Sequence, residues 1–326
     1  MGINDYKFVI AKAPYGDVYD YCYKDLEGLD NVDLLQGYIK FKNRLEEKIY
    51  YKHFTKKINL PFKGIWNPCY YRNKFKKSDN IIFILYSVKL DIYKYGAIKY
   101  LKRKYKNCKI VLFLNDLVSK NFKEKNIKEV ISDFDYIYSY DFEDCKKYGF
   151  NYHPLVYSAP KNEEENKEEI DIYFCGKAKN RLTLIMNAFN KFESLGFNCK
   201  FILSGVNKEN RVANKNIEYI DSFMSYKDNI KYIKKSKCLL DIIQENSTGY
   251  TLRICEAVAY NKKIITNNEY ITGESFYDKS MFKVIKNVRD IDQSFLYELN
   301  VNKIDKNYFS PKKLLENVVK KIEKGK

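Results

Sequence analysis

The sequence predicts an α/β protein built from two Rossmann-like domains with parallel sheets, and two observations carry that expectation. Short apolar strands alternate with helices of about nine to fifteen residues, the pattern of βαβ units. One acidic, aperiodic segment, Ala159-Pro160-Lys161-Asn162-Glu163-Glu164-Glu165-Asn166-Lys167-Glu168-Glu169, reads as a solvated linker and divides the 326 residues nearly in half. That length is more than one typical domain needs and suits two. The expected organisation is an N-terminal domain over 1–158, the linker over 159–169, a C-terminal domain over 170–306 and a terminal helix over 307–326. Two such sheets facing a central cleft would bind a ligand outside the carboxyl ends of their strands.

In the first half, Lys7–Ala11 and Ile81–Tyr86 read as strands, Tyr95–Tyr105 as a basic amphipathic helix and Lys109–Leu114 as a strand. Tyr136–Tyr140 follows as a strand, Asp141–Tyr148 as a short helix and Tyr152–Tyr157 as a last strand. The second half alternates more cleanly. Ile170–Cys175, Cys199–Ser204, Ile217–Ile220, Cys238–Ile243 and Lys263–Thr266 are the strands; Arg181–Leu195, Lys227–Lys235 and Leu252–Tyr260 are the helices. Ser310 followed by Pro311 is a good start for the helix Pro311–Lys324, because proline at the first helical position gives up only an amide that would be unpaired anyway.

Composition narrows the class. With 45% hydrophobic and 31% charged residues the chain is an ordinary globular protein. No apolar run approaches the ~18 residues of a membrane span, and the start, with Asp5 leading into Phe8-Val9-Ile10, does not read as a secretory signal. The expected location is the cytoplasm. Cysteines at 22, 69, 108, 145, 175, 199, 238 and 255 form no C-x-x-C pair, which fits buried thiols better than disulfides or zinc, and His53 and His153 alone cannot build a histidine metal site. The net charge of +17 mixes 59 basic with 42 acidic residues. AT-rich coding bias accounts for such a mixture, and attraction to an anionic membrane surface is the functional alternative. The chain carries no RNA-binding or helix-turn-helix signature, so nucleic acid is not an expected partner.

Two segments carry chemistry. In Asp171-Ile-Tyr-Phe-Cys-Gly176-Lys177-Ala-Lys179-Asn-Arg181 a strand ends at a glycine and three cations cluster before the next helix. A glycine there lets backbone amides approach an anion, and Lys177, Lys179 and Arg181 are donors of the kind a diphosphate needs; a solvated basic loop is the plainer alternative. In Asp241-Ile-Ile-Gln-Glu-Asn-Ser247-Thr248-Gly249-Tyr-Thr251-Leu-Arg253-Ile-Cys-Glu256-Ala a polar loop leads into a helix, with Ser247 or Thr248 as the N-cap. The first-turn amides around Gly249–Thr251 would then sit at the positive end of the dipole, a ready phosphate site. Arg253 and Glu256, three apart on one helical face, can meet one ligand; a capped helix with an internal ion pair is the alternative.

Gly249-Tyr-Thr-Leu-Arg253-Ile-Cys-Glu256-Ala-Val-Ala-Tyr-Asn-Lys-Lys-Ile-Ile265 resembles the donor-site block of GT-B glycosyltransferases, most of all the bacterial capsule and lipopolysaccharide enzymes. The resemblance extends over about 170–268 and loosely over 1–158. It implies that Glu256 binds the donor ribose, and that Lys177, Lys179, Arg181 and the amides near Gly249 and Thr251 bind the diphosphate, with Arg253 assisting. The loop around Met224–Tyr226 would hold the base. Many retaining members carry a second glutamate eight residues before the ribose-binding one; here that position is Thr248, so retention and inversion both stay open. For inversion the candidate general bases are Asp17 and Asp116, with His153 behind them; each aspartate also suits a turn or helix cap. Asp133-Phe134-Asp135 resembles a metal-binding DxD, but it precedes a strand and reads as a loop.

The implied function is transfer of a sugar from a nucleotide donor, a UDP-sugar, to a saccharide or polyprenyl-linked saccharide in cell-surface glycan synthesis, without a metal or other cofactor. Lys99-Tyr-Leu-Lys102-Arg103-Lys104-Tyr-Lys106 is compatible with peripheral binding at the inner membrane face. A GT-B-fold sugar-nucleotide epimerase and a non-catalytic basic module are the competing readings.

Overall fold

The computed structural model describes residues 2–12, 17–35, 43–45, 48–49, 73–86, 97–121, 131–161, 167–222, 224–244, 247–298, 302 and 304–325. The chain divides into two compact units. The first comprises Met1–Tyr15, Tyr23–Pro154 and Lys312–Lys326; the second comprises Gly16–Cys22 and Leu155–Pro311. Each unit holds a six-stranded sheet whose described strand pairs are all parallel.

The first sheet contains β1 (Lys7–Ala11), β2 (Val32–Leu35), β3 (Ile81–Tyr86), β4 (Cys108–Leu114), β5 (Tyr136–Ser139) and β6 (Asn151–Tyr152), in the order β2-β1-β3-β4-β5-β6. Every residue of β3 is buried, the continuous apolar run expected of a strand covered on both faces. Helix α1 (Ala97–Lys104) lays Ile98 and Leu101 into the core with Phe83, Leu85, Ile110 and Leu112. Its apolar face is therefore taken by the fold, and only its basic face is left for any outside surface. Helix α2 (Phe142–Tyr148) is capped by Asp141, which accepts from Asp144 N–H at 3.1 Å, and ends at Gly149, whose φ of 72° suits glycine. The strand expected at Tyr152–Tyr157 is shorter. His153 N–H still reaches Ser139 O at 3.1 Å, but Pro154 has no amide to continue the ladder. The short strand β2 was not anticipated.

The second sheet contains β7 (Ile170–Lys177), β8 (Cys199–Ser204), β9 (Ile217–Ile220), β10 (Ser236–Asp241), β11 (Lys263–Thr266) and β12 (Phe282–Val284), in the order β12-β11-β10-β7-β8-β9. Its first strand in sequence, β7, is flanked by β8 on one side and β10 on the other, so the winding direction switches there. Helices α3 (Leu182–Ser194), α4 (Tyr226–Lys235) and α5 (Leu252–Ala259) cover it. Ile185, Phe189 and Phe192 of α3 pack on Phe174, Phe201 and Leu203 in the core of this unit. The last helix, α6 (Pro311–Lys324), belongs to the first unit, where Asn317 Oδ1 accepts from Tyr138 Oη at 3.2 Å and Glu323 accepts from Tyr6.

The linker residues 162–166, the Pro14–Gly16 turn, Tyr95, Gly96 and Cys69 lie outside the described residues. The seven described cysteines are free thiols.

Candidate functional site

A cavity of about 260 Å³ opens in the second unit at the carboxyl ends of β7, β8, β9 and β10, the edge of an open parallel sheet where ligands bind. Among its lining residues are Gly176, Lys177, Met224, Tyr226, Arg253 and Glu256. Six of the sequence-derived candidates are thus gathered around one space by the β7–β10 switch.

Glu256 forms one wall. It lies on α5 and is only 4% exposed. A buried carboxylate is costly unless hydrogen-bonded; here Oε1 accepts from Tyr226 Oη at 2.6 Å and from Asn229 Nδ2 at 3.2 Å. Oε2 has no donor among the described residues. Burial pushes the Glu256 carboxyl up to about 7; the Tyr226 hydroxyl, Arg253 and Asn229 pull it down, and Asp241 adds to the rise.

Arg253 is held by three groups, although its Nε is buried without a partner among the described residues. Nη1 lies 3.3 Å from Asp241 Oδ1, Nη2 donates to Cys175 O at 2.6 Å, and the guanidinium sits 4.7 Å from the centre of the Phe174 ring. Asp241 is fully buried and also accepts from Thr251 Oγ1 at 2.8 Å and Thr266 Oγ1 at 3.0 Å. A Cβ on Gly176 would overlap Arg253 Nη2. The glycine expected to admit an anion therefore makes room for this guanidinium. Arg181 is likewise bound inward, its two Nη atoms donating to the Ile242 and Lys177 carbonyls. Burial and the neighbouring Arg253 hold its pKa below the usual arginine range.

Lys177 differs from both. It is exposed, its stem rests on Gly205, and its ammonium has no acceptor among the described residues. Lys179 is also exposed and takes a left-handed φ of 49°, uncommon for a residue with a side chain.

Helix α5 starts at Leu252, where the sequence places it, but under a different cap. Its N-cap is Thr251, not Ser247 or Thr248, and the Thr251 hydroxyl donates to Asp241 and does not cap the helix. Tyr250, fully buried against Phe276 at 5.8 Å, belongs to the approach, as does Gly249, whose carbonyl accepts from Asn268 Nδ2 at 3.2 Å. The first-turn amides are consequently those of Leu252 and Arg253, with Ile254 N–H already bonded to Thr251 O.

The candidate bases are held by local partners. Both Asp17 oxygens accept from the N–H of Tyr226, at 2.9 and 3.1 Å, which places this carboxylate on the N-terminus of α4 beside the Ser225 cap. Asp116 lies in the first unit, where it accepts from Leu117 N–H at 2.9 Å and pairs with Lys120 at 2.8 Å. His153 is 5% exposed, its Nδ1 lies 2.7 Å from Pro154 O, and burial lowers its pKa to about 4. Asp135 accepts from Ile110 N–H at 2.8 Å and from Lys102, tying its loop to β4. No group of three or more potential metal ligands occurs among the described residues.

Asn229, Tyr173, Tyr157 and Asp241 escaped the sequence reading. Only Asp241 carried a signal, a carboxylate ending an apolar strand just ahead of the polar loop.

No family model matches the chain, and no curated protein sequence matches it. Solved structures do. The chain is similar to an alpha-glucosyltransferase solved in complex with UDP and a 13-mer DNA containing a central A:G mismatch, with a TM-score of 0.53 and 11% identity over 87% of each chain. It also aligns with TarM at TM-score 0.46 and 17% identity, over 77% of this chain and 54% of that one. A third match is the DNA-modifying enzyme beta-glucosyltransferase, solved in the presence and absence of uridine diphosphoglucose, at TM-score 0.42 and 13% identity over 89% and 86%. These neighbours are GT-B glycosyltransferases, and the likeness to the first, with the two parallel six-stranded sheets, establishes the fold class as GT-B.

Proposed function

We propose that the chain is a glycosyltransferase that takes its sugar from a UDP-sugar bound in the β7–β10 cavity. The observation that supports this best is the pairing in one space of a buried carboxylate with an unclaimed oxygen, Glu256 Oε2, and an ammonium without an acceptor among the described residues, Lys177. A carboxylate in that position can accept from ribose hydroxyls. Lys177 and the first-turn amides of α5 can carry the charge of a diphosphate, in the ground state and as it departs. The glucosyltransferase of similar fold was solved with UDP, which favours UDP as the nucleotide. Met224, Ile220 and Ser204, at the ends and loops of β8 and β9, line the side left for the base.

We expect no metal to be needed, because Lys177 and the first-turn amides of α5 can neutralise phosphate in its place. The proposed acceptor is a saccharide or a polyprenyl-linked saccharide in cell-surface glycan synthesis; this part rests on the resemblance of residues 249–265. Contact with an anionic membrane would be electrostatic, through the basic face of α1. None of the described helices is long and apolar enough to cross a membrane.

Calorimetry with UDP in the presence of a chelator tests the reading. Submillimolar binding is expected, and Glu256→Ala should weaken it by ~1.5–3 kcal/mol, the scale of a hydrogen bond to a charged group, with an unchanged circular dichroism spectrum. Undiminished affinity in folded Glu256→Ala would remove the site assignment, and binding restored only by manganese would remove the metal-free reading. Incubation with UDP-sugars then separates the classes: transfer or hydrolysis supports a transferase, interconversion of the donor alone an epimerase, and neither a binding module. For the base, Asp17→Asn and Asp116→Asn are informative where turnover falls while UDP affinity holds; loss of both together in Asp17→Asn assigns Asp17 to the end of α4.

A further inference from the structure

We propose that Tyr226 and Asn229 are positioning residues for Glu256: by donating to the same oxygen they keep the carboxylate charged and present its other oxygen to the nucleotide. The inference rests on the reading of Glu256 as the nucleotide's carboxylate and adds to it a device that maintains that role.

The geometry is one-sided. Tyr226 and Asn229 stand three apart on α4, so they share a helical face, and both reach Oε1 while Oε2 receives nothing from the described protein. Each donor is itself oriented. Because a carboxylate only accepts, Asn229 must turn its NH₂ toward Glu256, which leaves Oδ1 to accept from Tyr173 Oη at 2.9 Å. The Tyr173 ring is stacked on Tyr232, with centroids 5.4 Å apart and planes at 20°. The Tyr226 hydroxyl donates to Glu256 at the shorter distance, and its oxygen also lies 3.1 Å from Tyr157 Oη. Its ring lies among Tyr21 and Tyr157, at 5.2 and 6.4 Å.

The surrounding charges do not substitute for this pair. From α5, Arg253 favours the charged form of Glu256; from the end of β10, Asp241 opposes it. From β7, Tyr173 and Cys175 face the site as neutral groups whose pKa values burial raises, and burial raises Tyr157 and Tyr226 as well. These hydroxyls therefore remain donors throughout the working pH range. Against the burial of Glu256, the Tyr226 hydroxyl is the strongest of the influences favouring the charge.

The test has one arm with ligand and one without. UDP dissociation constants are measured from pH 5.5 to 9 for the parent protein, Tyr226→Phe, Asn229→Ala and Glu256→Gln. The parent should bind more tightly as pH rises through about 7, to a plateau above pH 8. Tyr226→Phe keeps the ring and should move that midpoint upward by about one unit, a tenfold loss at pH 6.5 that recovers by pH 9; Asn229→Ala should move it in the same direction by less. In the second arm the Glu256 carboxyl is titrated without ligand by ¹³C NMR, its resonance assigned by its disappearance in Glu256→Gln, and Tyr226→Phe should raise its midpoint equally. An unchanged NMR midpoint overturns the inference, as does a loss of UDP affinity that is uniform across pH. A parent protein that binds no UDP, or a Glu256→Gln protein that binds it as well as the parent, overturns the functional reading instead; the NMR arm then still decides whether the pair governs the charge.

Discussion

The two charged ends of the cavity are built on opposite principles. Glu256 is buried, and its charge is sustained by donors that the fold positions in advance, Tyr226 and Asn229. Lys177 is exposed, with only its stem in contact, and its ammonium is left to water. A buried charge needs its partners whether or not a ligand is present, because desolvation is never suspended. An exposed ammonium loses nothing in the empty protein and gains an interaction only when an anion arrives. Arg181 and Arg253 fall with Glu256 in this comparison. Both are cations beside the cavity, yet backbone carbonyls hold both, and Asp241 and Phe174 hold Arg253 as well.

The largest effect belongs to the buried side. Asp241→Ala leaves the Arg253 guanidinium and the hydroxyls of Thr251 and Thr266 without their shared acceptor. Breaking such a pair from one side costs about 3–5 kcal/mol, and urea denaturation should show it as a lower midpoint at unchanged slope. A loss under 1 kcal/mol would mean that Asp241 does not hold this corner together.

Next in size is a pH effect. In the fold the Glu256 carboxyl sits at about 7 against an ordinary 4.5. The folded state therefore prefers the protonated form, and the stability this site contributes is full below pH 4.5 and lost as pH rises through about 7. The loss is of order 3 kcal/mol at 1.36 kcal/mol per unit. Glu256→Gln lacks the titration, so its urea midpoint relative to the parent should rise between pH 5 and pH 8. UDP affinity should run the other way over the same window, since the ligand needs the carboxylate. A parent and variant that track each other in stability would place the titration elsewhere.

Gly176→Ala comes third. The added methyl meets the pinned Arg253 Nη2, and overpacking of this kind costs about 1–3 kcal/mol, readable as a fall in melting temperature. Joining it to Arg253→Lys, which shortens the reach of the cation, should recover part of the loss; strictly additive losses would show that the two do not meet.

The smallest effect belongs to the exposed end. Lys177→Ala should leave the melting temperature unchanged and weaken UDP by about 0.5–1 kcal/mol, the range of an exposed ion pair, while uridine, which has no phosphate, binds as before. An equal loss for both ligands would show Lys177 to be part of the cavity wall and not a phosphate contact.

The sequence by itself determined the alternation of strand and helix, because the periodicity that buries one face of each element is local and can be read within about a dozen residues. It also determined that Gly176 lies at the finishing end of a strand, which runs one residue further to Lys177, and that Arg253 and Glu256 share a helical face. It did not disclose how the start of α5 is capped, because Tyr250 is drawn into the core and Thr251 is turned toward Asp241, and both are tertiary contacts. Nor did it separate Lys177 from the two arginines. All three are cations in the segments that follow β7 and β10 in the sequence, and only the folded chain shows which have partners. The partners of Glu256 lie 30 and 27 residues before it, on another helix. Burial strips the water from a charged group, and the groups that replace that water are whichever ones the packing of distant elements brings within 3 Å, a choice no local pattern encodes.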